Sequence, residues 1–250
     1  MRKYLCLFKI NLIEYFEYRF RTFINVVFQF TLPVTMILVF SSIPGNKFAG
    51  MTRGEIISFY VMTSLLFLII KSSADDIISE FILEGGLAKY LVKPINIWGV
   101  VIIRDIAKRL AKFTLGIPVF VLLINLTGTQ IDVNILFFVK VILAYILTFL
   151  VASSVGLLGF WLEETWGLQN FYDVSARFLG GGVLPYSFFP IIFKNVLVFT
   201  PFFYMLSWPL NRQFIISEFM ICLSLIAAML LLVYFMWKNG IKRYNALGVY

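Results

Sequence analysis

Long runs of residues without a single charge recur from one end of this chain to the other, and they limit its fold more than any other feature. Thr22–Asn46, Ile56–Ile70, Phe113–Leu126, Phe178–Phe193, Asn195–Asn211 and Phe219–Trp237 are all uncharged, and Ile135–Leu162 contains only Lys140. A peptide group without a partner in hydrocarbon costs several kcal/mol, so segments of this kind cross a bilayer as helices whose backbone bonds close within the segment. About 20 apolar residues are needed for one crossing. Charged residues make up 14% of the chain, against about 25% in soluble domains. The expected class is an all-α integral membrane protein.

Basic residues near span ends set orientation. Arg2, Lys3, Lys9, Arg19 and Arg21 precede the first run. Lys71, Lys89, Lys93, Arg104, Lys108, Arg109 and Lys112 lie between the second and third. Arg177 precedes the fifth, and Lys238, Lys242 and Arg243 follow the last. Only Lys47, Arg53, Lys194 and Arg212 fall in the alternate loops. This bias is best satisfied by six crossings with both termini cytosolic in the cell membrane. Asn195–Asn211, with Pro201 and Pro209, then enters without crossing, which makes a re-entrant hairpin of about residues 190–209 on the outer side. The same balance gives the net charge of +8, which fits contact with anionic lipid rather than nucleic acid.

Residues 1–21 place Leu5, Phe8, Leu12 and Phe16 at spacings of three and four. They read either as a helix lying in the interface or as the start of the first span. No cleavable leader is expected, because the first apolar run begins near Phe23 and no small-residue cleavage site follows it. The first span, Phe23–Phe40, holds Pro33. The second, Ile56–Ile70, is expected to extend past Lys71, with that lysine snorkelling. Ile97–Lys112 is amphipathic, with Arg104, Lys108 and Lys112 along one side, and reads as an interfacial helix before the third span. The fourth span is Ile135–Leu162 and the fifth Phe178–Phe193. Residues 22–250 thus form one six-helix membrane domain behind an N-terminal helix.

The longest polar interval, 71–112, carries the most informative stretch, Ser79–Leu91. Ile77, Ile78, Phe81 and Ile82 fall on one side of a helix. Gly85-Gly86 ends that helix, and Leu87, Tyr90 and Leu91 start a second short turn that Pro94 closes. A small bent element, held out of the bilayer by its charges, is suited to contact with another protein. A solvated loop lying on lipid is the plainer alternative.

Enzyme signatures are weak. Gly45–Thr52 approaches a phosphate-binding loop, but Met51 stands where the lysine belongs. There is no histidine. The adjacent pairs Asp75/Asp76 and Glu163/Glu164 point about 100° apart on a helix and do not converge. Cys6 and Cys222 have no metal-ligand neighbours and read as packing residues. No catalytic, metal or cofactor-binding residue is assigned.

The stretch Gly86-Leu87-Ala88-Lys89-Tyr90-Leu91-Val92-Lys93-Pro94 after span two, and Phe178-Leu179-Gly180-Gly181-Gly182-Val183-Leu184-Pro185 with Phe189-Pro190 and Thr200-Pro201 later, resemble the ABC-2 family of ATP-binding-cassette permeases. Lys93 fills a position where the family pattern has lysine or, more usually, arginine, and it keeps the charge. The resemblance implies an exporter subunit with six transmembrane helices that pairs with a second permease, identical or homologous. ABC-type ATPase subunits would bind ATP and magnesium in its place. It also implies that Glu80–Leu91 is the coupling helix. The expected ATPase contacts are Glu80, Phe81, Glu84, Gly85, Gly86, Leu87, Tyr90 and Leu91, with Lys93 and Pro94 in the loop after it. Gly180, Gly181, Gly182, Pro185, Pro190 and Pro201 are candidates for the pathway or the re-entrant hairpin. The alternative is a secondary transporter or channel. The span cores as read here lack Asp, Glu and His, which disfavours proton coupling, while sodium sites built from carbonyls stay open.

Overall fold

The computed structural model describes residues 2–91, 95–129, 133–211 and 213–246. Lys93, Pro94 and Arg212 lie outside them. In chain order the helices are α1 (Arg2–Glu17), α2 (Arg19–Ser42), α3 (Arg53–Ile70), α4 (Ala74–Leu83), α5 (Gly86–Leu91), α6 (Ile97–Thr127) and α7 (Ile135–Leu157). They continue with α8 (Trp166–Leu179), α9 (Ile191–Leu197), α10 (Pro201–Leu210) and α11 (Ile216–Ala246). A two-residue hairpin, β1 (Lys47–Phe48) with β2 (Met51–Thr52), joins α2 to α3.

Five helical units are long and apolar enough to cross a membrane: Arg19–Ser42, Arg53–Leu83, Ile97–Thr127, Ile135–Phe160 and Ile216–Tyr244. Helices α9 and α10 form a pair bent by 105°, and as one broken span they would make a sixth. The chain is an all-α, multi-pass membrane protein. Protein covers 56% of the apolar part of Arg53–Leu83 and 50% of that of Ile135–Phe160, so α3–α4 and α7 form the centre. The corresponding figures for the first, third and last spans are 28%, 22% and 17%, which puts α2, α6 and α11 at the periphery.

The 31 residues of α6 extend about 46 Å at 1.5 Å per residue, well beyond a hydrocarbon core of about 30 Å. At the proximal end of the bundle α1, α4 and α5 meet the start of α6 and the ends of α7 and α11. The distal end carries the β-hairpin and the start of α7. There Thr52 and Glu55 cap α3 reciprocally, at 3.3 Å and 2.7 Å. Arg53 donates to the carbonyls of Ile43 and Gly45, tying α2 to α3.

Four sequence expectations change. The interfacial segment Ile97–Lys112 and the third span are one continuous helix, because nothing between them breaks its hydrogen bonds. Phe178–Phe193 is not a helix: α8 starts earlier, at Trp166, and stops at Leu179. Absence of charge marks an apolar environment, not a helix, and here glycines and prolines break the segment. Helix α3 stops at Ile70 instead of running through Lys71, and Lys71, at the break before α4, pairs with Asp173 of α8. Cys6 is exposed, whereas Cys222 is packed beneath Trp208 and Tyr204.

Candidate functional site

The proximal corner is built from α4 and α5 folded back against α6 and α7. The helical pattern read from Ile77, Ile78, Phe81 and Ile82 is its buried side, each being no more than 7% exposed. These residues pack on α7 at Gly156, where an added Cβ would lie 2.8 Å from the Asp75 carbonyl oxygen and 2.9 Å from Ile78. No larger residue would let the two helices approach so closely.

The start of α4 is held by a carboxylate from another helix. Asp105 of α6, 1% exposed, accepts from the Ser73 backbone N–H at 2.7 Å and from the Ser72 hydroxyl at 3.1 Å. Its second oxygen accepts from Tyr145 at 3.2 Å and pairs with Arg109. The Arg109 guanidinium lies 3.8 Å above the Tyr145 ring. A buried charge held this way has its lone pairs satisfied, which is the condition for tolerating it. Farther along, two ion pairs join α4 to α6: Lys108 to Asp76 at 3.0 Å and Arg104 to Glu80 at 3.2 Å. Both partners are four residues apart on their own helix, so the pairs stack one turn above the other. Gln169 of α8 donates to the Asp75 carbonyl and the Ser79 hydroxyl, closing the corner from a third side.

Gly85 turns the chain between α4 and α5 with φ of +73°. This left-handed geometry is easy only for glycine. The adjacent Gly86 has an ordinary backbone, and a Cβ there would meet Phe81 at an unstrained 3.5 Å. The conformational demand read from the glycine pair therefore falls on Gly85. Phe81 and Leu87, at 5% and 1% exposure, face inward, and Tyr90 packs on the Phe81 ring at 5.0 Å. The side turned outward carries Leu83 and Leu91, at 41% and 43% exposure, with Glu84 and Lys89.

A second knot lies where α8 ends. The N–H groups of Gly182 and Val183 both donate to the Arg177 carbonyl. Gly181 has φ of +86°, and its missing side chain admits Ser207 of α10, whose Oγ lies 2.2 Å from where a Cβ would be. Ser207 donates to the Gly180 carbonyl at 2.7 Å, and Tyr60 of α3 to the Val183 carbonyl at 2.8 Å. Irregular backbone at this depth survives because neighbouring helices supply the missing partners. Pro185 is buried, Pro190 precedes α9, and Pro201 opens α10 in the first helical turn, where its missing N–H costs nothing.

Lys140 of α7 is fully buried at the distal end. It donates to the carbonyls of Asn211 at 2.7 Å, Gln213 at 2.9 Å and Trp208 at 3.4 Å. It thereby caps the carbonyl end of α10, where a cation is favoured.

Two cavities flank α3. The proximal one, about 690 Å³, is lined by both acids and bases, with Lys71 at the end of α3. The distal one, about 1030 Å³, has Glu55 as its single charged lining residue among those described. None of Gly180, Gly181, Gly182, Pro185, Pro190 and Pro201 lines either cavity. These residues instead determine how closely α8, α10 and α3 pack.

Sequence reading missed Asp105, Ser72 and Lys140 as structural centres. One signal was present: acids at 76, 80 and 84 and bases at 104, 108 and 112 share one spacing, as two facing helices would require. Gly45–Thr52, which approaches a phosphate loop, is the β-hairpin and the α3 cap. Residues 23–248 match the family model described as "ABC-2 family transporter protein". No curated protein matches the chain.

Proposed function

Because this chain belongs to the ABC-2 family of transporters, we propose that it is the transmembrane permease subunit of an ATP-driven exporter in the cell membrane. It works with a second permease subunit and with separate ABC-type ATPase subunits that bind ATP and magnesium. The observation that carries this reading is the proximal corner. It is a compact element, clamped on three sides, that presents Leu83, Glu84, Lys89 and Leu91 outward.

A corner that relays force must be stiff and must connect to what moves. Here α4 continues α3 with only Lys71–Ser73 between them. Ion pairs and Asp105 tie it to α6, and Gly156 lets it bed into α7. A displacement imposed on α4–α5 by closing ATPases would pass into α3, which runs between the two cavities. The ATPases thus supply differential contacts in two states, which is what a population shift requires. Both termini, the corner and α1 then face the cytosol, and the hairpin and α9 face outward.

The test uses the full chain purified from its own host membranes. Wild type is expected to bring down a subunit with ABC-type ATPase activity that drives uptake into inverted vesicles. Leu91→Asp, on the exposed side, should lose that subunit while inserting normally. Leu87→Asp is a poor probe, because it would place a carboxylate in the core. Solute movement by the isolated chain in nucleotide-free vesicles would overturn the reading.

A further inference from the structure

The proximal cavity carries an imbalance of charge that the fold itself does not resolve. Six cations line it: Arg21, Lys71, Arg104, Lys108, Lys112 and Arg177. Three carboxylates oppose them, Glu14, Asp76 and Glu80. Asp76 and Glu80 are already taken by Lys108 and Arg104, and Lys71 is taken by Asp173. Arg21, Lys112 and Arg177 have no carboxylate within salt-bridge distance among the described residues. Against these three cations stands one unpaired carboxylate among the described lining residues, Glu14, so the cavity keeps a positive surplus, and low-dielectric walls strengthen that field. An anion would relieve it.

The cavity also has a shape and a border. It lies between the α1–α2 turn, α6 and α8, and Tyr15, Tyr18 and Thr22 add hydroxyls to its wall. At about 690 Å³ it far exceeds a lone phosphate. Phe28 lines it as well. From there the surface of α2 continues as exposed Phe20, Phe23, Ile24 and Val27. Guanidinium forks and a lysine beside hydroxyls suit phosphate oxygens, and the adjoining apolar surface suits a hydrocarbon tail.

We propose that this cavity binds the phosphate headgroup of an anionic amphiphile, with Lys112, Arg177 and Arg21 as its cationic contacts and the tail along α2. The site is read from charge and geometry and holds whether or not an ATPase drives the chain.

Native mass spectrometry of the full chain in a neutral detergent tests it, with phosphatidylglycerol, phosphatidylcholine or inorganic phosphate added. Wild type should retain phosphatidylglycerol in preference to phosphatidylcholine. The double variant Lys112→Gln/Arg177→Gln should bind it at least tenfold more weakly, and Arg21→Gln severalfold. Lys112→Arg/Arg177→Lys, which keeps the charges, should retain binding and separates lost charge from lost folding. Lys47→Gln, in the distal hairpin, should change nothing. Equal binding of the two lipids, or equal loss in Lys47→Gln, would overturn the site. Complete displacement of the lipid by millimolar inorganic phosphate would overturn the amphiphile as its ligand.

Discussion

Single residues in this protein matter most where the backbone or a charge has no alternative partner. Asp105 serves Ser72, Ser73, Tyr145 and Arg109 together. Replacing it with leucine strands a buried guanidinium and an uncapped N–H, and should cost about 3–5 kcal/mol in chemical unfolding in mixed micelles. Asparagine keeps the acceptor facing Ser73 and should cost less. At Gly181 both the positive φ and the 2.2 Å approach of Ser207 forbid a side chain. Gly181→Ala should lose roughly 1–3 kcal/mol or more in the same assay. Gly167→Ala, with nothing within 4 Å of its Cβ position, should be neutral or slightly stabilising. Neither Asp105 nor Gly181 is distinguished by residue type alone. Asp105 resembles any acid in a polar interval until α6 proves continuous. Gly181 is one of three glycines, and only the position of α10 singles it out.

Among the elements, α4–α5 is the one whose docking decides how the proximal end behaves. The ion pairs to α6 are partly solvated, with Glu80 and Asp76 side chains 44% and 56% exposed. A double-mutant cycle on Glu80 and Arg104 should therefore return only about 0.2–1 kcal/mol of coupling. Packing on α7 carries more. Gly156→Leu should lift α4 and expose the turn at Gly85, raising the rate of tryptic cleavage at Lys89 by roughly tenfold through local opening. An unchanged cleavage rate would show that α4 does not depend on that close approach. The inward side of α4 was legible from the spacing of Ile77, Ile78, Phe81 and Ile82, since burial on one side imposes the helical period. The broken region from Gly180 to Pro190 was not, because lack of charge says only that the environment is apolar.

For the molecule as a whole, the alternation of α2, α3, α6 and α7 puts Cys6 and the β-hairpin at opposite ends of the bundle. With the proximal end cytosolic, a membrane-impermeant maleimide should leave Cys6 unlabelled in intact cells and label it after permeabilisation. In a Lys47→Cys variant the new thiol should react in intact cells. The reverse pattern would invert the orientation, and labelling of both in intact cells would break the alternation. Buried Cys222 contributes no background.

The sequence by itself determined the solvent and the spans. Hydrocarbon cannot hydrogen-bond a peptide group, so a chain with these uncharged runs must form helices, and its basic residues bias which loops stay inside. The tertiary structure alone decided which charges are paired, which glycines are indispensable and where the cavities lie. Those properties depend on the approach of segments far apart in the chain: Asp105 to Ser73, Gly181 to Ser207, Lys140 to the end of α10. Local periodicity carries no information about which face of one helix meets which face of another.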